Sequence, residues 1–102
     1  MSIPPIMVRI GEGYTFGLDY GPRLARGDRI TGVTSVAQIA KTGGAPDLTI
    51  GTPNVSTSHN GINFEITVSD NATVGDTYTI LCKASSPLGI NIPETVTLQV
   101  EA

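Results

Sequence analysis

Hydrophobic side chains in this chain recur at every second position, the spacing that places them on one face of a pleated strand. The pattern is clearest from residue 70 onward. Tyr78, Ile80, Cys82 and Ala84 form one row and Val96, Leu98 and Val100 another, separated by Pro87-Leu88-Gly89-Ile90-Asn91-Ile92-Pro93. Two rows joined by a turn of Gly and Pro predict a hairpin with one apolar face that has to be buried. Upstream, Ile62, Phe64, Ile66 and Val68 alternate with Asn63, Glu65, Thr67 and Ser69. They follow His59-Asn60-Gly61, whose Asn-Gly pair suits the positive φ angles of a tight type I′ turn.

The N-terminal half is less regular. Ile6, Val8 and Ile10 alternate with Met7 and Arg9. Pro4 and Pro5 cannot donate ladder hydrogen bonds, so Ile3 to Ile10 is expected as an edge strand or an extended arm. Tyr14, Phe16, Leu18 and Tyr20 then alternate with small or polar residues, as either a core strand or a contact strip; periodicity leaves both open. Gly21-Pro22 and Gly27-Asp28 bracket an irregular stretch. From Arg29 to Ile39 the residues are strand formers whose phase slips near Gly32, where a bulge would restore it. Residues 40–47 read as a loop, 48–50 as a short strand, and 55–58 as the first arm of the Asn-Gly hairpin. Seven or eight strands separated by turns, with no helical stretch, predict an all-β, two-sheet sandwich. It forms one domain over residues 1–102, with an N-terminal edge strand or arm over about residues 1–10.

Composition narrows the chemistry. The net charge is −3 and six basic residues are scattered, with only Arg23 to Arg29 clustered. Nucleic-acid binders need a basic stripe to displace counterions, so no nucleic-acid partner is expected. No apolar run reaches bilayer length, and the N-terminal residues do not read as a signal peptide, so no membrane partner is expected either. The single cysteine, Cys82, excludes an internal disulfide and falls on an apolar face, as a buried inert thiol. Folding in a reducing cytoplasm follows. His59 is the only histidine, leaving no partner set for a nucleophilic triad. Asp70, Asn71 and Asp76 lack the alternating ligands of a calcium loop and read as turn chemistry. Arg26-Gly27-Asp28 spells the integrin tripeptide but reads as a turn before a strand. No catalytic residue, metal or cofactor is expected.

Two resemblances add to this. The turn Ala72-Thr-Val-Gly75-Asp-Thr-Tyr78-Thr-Ile80 resembles an immunoglobulin E–F corner, where a Tyr opens strand F and its hydroxyl bonds back to nearby backbone. Tyr78 stands at that place; Ile80 stands where antibody domains carry a cysteine, and the chain has no Trp. More widely, Leu18-Asp-Tyr-Gly-Pro-Arg-Leu24-Ala-Arg-Gly27-Asp28-Arg-Ile30-Thr, with the later Gly75-Asp76-Thr-Tyr78 strand and a Thr-rich last strand, is similar to small immunoglobulin-like virion proteins of tailed phages. Members of that group often carry a Trp after Gly-Asp that this chain lacks.

The resemblance implies an immunoglobulin-like sandwich without enzymatic activity, made in the host bacterial cytoplasm and incorporated in the virion. It acts as a fibre–tail adaptor or head–neck accessory protein through contacts with other virion proteins, in several copies or as a homo-oligomer. A capsid-decoration protein and a carbohydrate-binding surface module are the alternatives. Ile3, Ile6, Val8, Ile10, Ile90 and Ile92 are the candidate partner contacts. Tyr78, Cys82, Gly27 and Asp28 are the candidate structural residues.

Overall fold

A computed structural model describes residues 5–102. Ile3, among the candidate contacts, lies outside them. Among the described residues eight strands form two sheets. The first has the order β1 (Ile6–Arg9), β8 (Gly89–Glu101), β7 (Thr77–Ser86), β3 (Gly32–Lys41). The second has the order β2 (Gly13–Asp19), β6 (Gly61–Thr67), β4 (Thr49–Ile50), with β5 (Asn54–Val55) also on β6. A short 3₁₀ turn at Gly21–Arg23 is the one departure from strands and loops among the described residues. The layers close over one core to which both sheets contribute, so the expected two-sheet β-sandwich is the architecture found.

Strands β6 and β7 show why the sandwich closes. Along β7, Tyr78, Ile80, Cys82, Ala84 and Ser86 are buried. Along β6, Ile62, Phe64 and Ile66 are buried while Asn63, Glu65 and Thr67 face out. Branched and aromatic side chains pack well on a pleated surface, so the two rows serve both strand propensity and burial. Strand β8 completes the wall with Val96, Leu98 and Val100.

Several boundaries differ from the sequence expectation. The turn after β7 is shorter than Pro87 to Pro93: β8 begins at Gly89, and Ile90, Ile92 and Pro93 are strand residues, with Lys83 opposite Pro93. Pro93 lies beyond the stretch of β8 that β1 pairs and its backbone nitrogen faces away from β7, so the missing N–H leaves no ladder bond unmade. The Asn60-Gly61 turn is also corrected. Positive φ falls on His59, at 60°, while Gly61 opens β6. Glycine is required there by contact, since a Cβ at 61 would lie 1.8 Å from the Leu18 carbonyl oxygen. In β3 the register slips between Val33 and Ser35 and again between Gln38 and Ala40, not at Gly32. The strand runs on to Lys41, and Ile30 lies outside it, buried, with its N–H on the His59 carbonyl at 2.7 Å.

The N-terminal segment is an edge strand on its own sheet. β1 runs parallel to β8 with Val8 opposite Val100. Val8 is fully buried, so it belongs to this chain's core and offers no surface to a partner. Ile6 and Ile10, on the same side, remain about 40% exposed (41% and 39%).

Gly61→Ala should lower unfolding free energy by about 1–3 kcal/mol, because the new methyl meets backbone that cannot yield without moving β2. Urea denaturation measures it, and a loss below about 0.5 kcal/mol would show that the contact is slack.

Candidate interaction surface

Exposed large hydrophobic side chains are spread over the described surface: Ile6, Met7 and Ile10 on or beside β1, Ile39 on β3, Val74 before β7, and Leu88 and Ile90. Leu88 and Ile90, at the β7–β8 tip, are 72% and 81% exposed, the highest values among the large hydrophobic side chains described. Their neighbour Ile92 turns back toward the core and is half-buried. The backbone explains the switch. Asn91 adopts φ 55°, and the register shifts between the Ala84–Ile92 and Ser86–Gly89 pairs. That bulge rotates Ile90 outward.

The tip is held by polar bonds from the segment between β2 and β3. Gly27, at φ 81°, makes the turn that brings Asp28 toward the hairpin, where its carboxylate accepts the Ser86 hydroxyl at 2.5 Å. The Ser86 oxygen in turn accepts the Gly89 N–H at 3.0 Å, inside the turn. Thr31 adds its N–H to the Ser85 carbonyl at 2.9 Å, and the Thr34 and Ser85 hydroxyls lie 3.0 Å apart. Gly27 and Asp28, singled out in the sequence, thus hold the turn that carries the two most exposed aliphatic side chains. Arg23, four residues before Gly27, donates to the Pro93 carbonyl at 2.5 Å and pairs with Glu94 at 3.1 Å, closing the adjacent edge.

The two residues marked for β7 are internal. Tyr78 is buried at the head of the strand, and its hydroxyl donates to the Pro46 carbonyl at 2.8 Å. The acceptor is the loop after β3, not backbone close in sequence as the corner resemblance implied. Cys82 is a free, fully buried thiol, and burial pushes its pKa up to about 11. Tyr20, left open between core and contact strip, is fully buried and donates to the Cys82 carbonyl at 3.1 Å. Burial raises its pKa as well. Sequence periodicity placed Tyr20 on one face with Tyr14, Phe16 and Leu18 but carried no sign of this bond, which crosses between layers.

The remaining polar candidates do turn work. Asp76 accepts the Thr73 N–H at 2.9 Å, and Asn71 donates its N–H to the Ser69 hydroxyl at 3.1 Å. Among the described residues no three His, Cys, Asp or Glu side chains gather as a metal-binding group. A shallow groove of about 260 Å³ lies beside Leu18, Asp19, Ser56 and Asn60 at the end of the second sheet. No family model, curated protein or solved structure matches this chain.

Two outcomes follow from these contacts. Asp28→Ala should leave the fold intact but speed hydrogen exchange at the Gly89 amide, since Ser86 loses its anchor; unchanged exchange would mean the tip is rigid without it. Stability should also fall as pH rises. The Cys82 thiol and Tyr20 hydroxyl keep their protons more tightly folded than unfolded, so their contribution is whole below pH about 9 and fades as pH climbs toward about 11. Urea unfolding across that range checks it, and a flat profile would contradict the burial of these groups.

Proposed function

We propose that this chain is an immunoglobulin-like virion protein of a tailed bacteriophage, acting as a fibre–tail adaptor or head–neck accessory module. It grips other virion subunits through its surface and performs no reaction. Support for the immunoglobulin-like part comes from strand order. The arrangement β2-β6-β4 against β8-β7-β3 parallels strands B-E-D against G-F-C, with a tyrosine heading the F-equivalent strand. Support for the phage part is the Leu24 to Ile30 motif, whose Gly27-Asp28 braces the β7–β8 tip.

The exposed pair Leu88 and Ile90 carries the functional reading. Leu88 and Ile90 are not among the side chains packed on the core, and two neighbouring aliphatic groups on a braced tip are a surface that a partner can cover. Sandwich domains present partners with the loops at their ends, positioned by a rigid scaffold. Ile90 therefore remains a contact candidate, while Ile92 supports it from below. A glycan-binding reading needs open aromatic rings. Tyr20, Phe64 and Tyr78 are buried, and Tyr14 and Phe16 are half-buried against the core.

The experiment is incorporation into particles. A C-terminally tagged chain, supplied to a host infected by the phage that encodes it, should co-purify with virions through a density gradient and appear at the neck or tail by cryo-electron microscopy. Density over the capsid faces would favour a decoration protein, and tag only in the soluble lysate would overturn the virion reading. Leu88→Ser with Ile90→Ser should cut incorporation about tenfold or more while the melting temperature moves by less than about 4 °C. Full incorporation of that double variant would remove the tip from the contact.

A further inference from the structure

The sandwich protects its sheet edges unequally. In β8, Val100 donates its N–H to Asp76 and accepts from Gly75, both at 2.9 Å, so even-numbered residues point their backbone groups at β7 and odd-numbered ones at the opposite edge. On that edge Pro93 has no N–H, and its carbonyl is taken by Arg23. On β1, whose residues 7 and 9 face away from β8, the Arg9 N–H donates to the Tyr14 hydroxyl at 2.7 Å and the Arg9 carbonyl accepts the Glu12 N–H at 3.2 Å. Pro5 removes the next donor. Two register shifts interrupt β3, and β4 is two residues long. Prolines, bulges, local caps and shortness are the devices that keep edges from pairing with other chains.

Strand β2 carries none of them. Its register on β6 is unbroken from Gly13–Thr67 to Asp19–Gly61. The Tyr20 N–H bonds the Asn60 carbonyl and the Glu12 carbonyl accepts the Val68 N–H, so even positions face β6. Gly13, Thr15, Gly17 and Asp19 therefore aim their N–H and C=O groups off the sheet; all four are exposed, and no described strand pairs with them. The strand holds no proline or lysine. On its inner side Tyr14, Phe16 and Leu18 are only half-buried, with the Tyr14 and Phe16 rings stacked at 6.1 Å.

We propose that β2 is a strand-addition site whose occupant is the β2 of a second copy, paired antiparallel about a two-fold axis through Phe16. The match is in the strand itself. Thr15 falls opposite Gly17 and Gly13 opposite Asp19, each an outward-facing pair able to exchange two backbone hydrogen bonds. Asp19, the single charge on β2, meets a glycine, so no like charges oppose. On the inner face Phe16 meets Phe16 and Tyr14 meets Leu18, at the narrow, non-hydrogen-bonded positions where cross-strand side chains touch best. The contact is isologous and closed, joining two second sheets into one. It names the homo-oligomeric contact of the virion reading but uses a surface distinct from the tip, so either proposal can fail alone.

Analytical ultracentrifugation of the full chain from about 1 μM to about 1 mM, paired with hydrogen exchange, tests it. The expected result is a reversible dimer in which the Thr15 and Gly17 amides gain protection as concentration rises. Thr15→Pro, which removes an outward N–H and no bond within the chain, should weaken the dimer about tenfold or more with the circular dichroism spectrum unchanged. A monomer throughout would overturn the proposal. So would a dimer whose Thr15 and Gly17 amides exchange at the monomer rate, or protection of those amides already present in the dilute monomer, which would mean that the chain covers its own edge. If Thr15→Pro unfolds, the wild-type exchange data still decide.

Discussion

The burial of alternate residues along β7 is the constraint on which the rest of the molecule depends. Tyr78, Ile80, Cys82, Ala84 and Ser86 all point inward, and β7 is paired along its length by β8 on one side and β3 on the other. A one-residue slip would turn the whole row to solvent and bring Thr79, Leu81, Lys83 and Ser85 inside, so the register is fixed by free energy rather than by the turn alone. The polar ties then have fixed targets. Tyr78 reaches Pro46, Tyr20 reaches Cys82, and Asp28 reaches Ser86. Each joins a loop or the opposite layer to this one strand.

The same dependence explains how the core positions the exposed tip. Ser86 ends the buried row, and its hydroxyl links Asp28 to the turn amide of Gly89. Beyond it the bulge at Asn91 releases Ile90 to solvent while Ile92 stays against the core. A stiff strand thus delivers two aliphatic side chains to a defined place without spending core volume on them. The flanks follow a different logic: the other edges carry prolines, capping side chains or broken register, and β2 is regular and, among the described residues, unpaired on its outer side.

Much of this was legible from alternation alone. The inner rows of β6 and β7, the β7–β8 hairpin, the absence of α-helix among the described residues and the burial of Cys82 all follow from period-two patterning. What failed to show was set by geometry between distant residues. Gly61 looked like half of a turn because Asn-Gly is a strong local signal, yet its reason is the Leu18 carbonyl on the neighbouring strand. Ile90 to Pro93 looked like a turn because proline and glycine flank it, yet β8 tolerates a proline beyond the reach of β1, where the missing donor faces outward. Val8 looked like a contact because prolines precede it, but pairing with β8 drew it into the core. The bonds of Tyr20 and Asp28 link positions 62 and 58 residues apart, beyond any local pattern.

Residue-resolved amide hydrogen exchange under native conditions tests the central place of β7 most directly. The β7 amides from Thr79 to Ala84 should exchange slowest in the chain, opening only with global unfolding, while those of β1 and the Leu88–Ile90 tip exchange orders of magnitude faster. Fast exchange along β7, level with β1, would contradict an account in which that strand anchors both sheets.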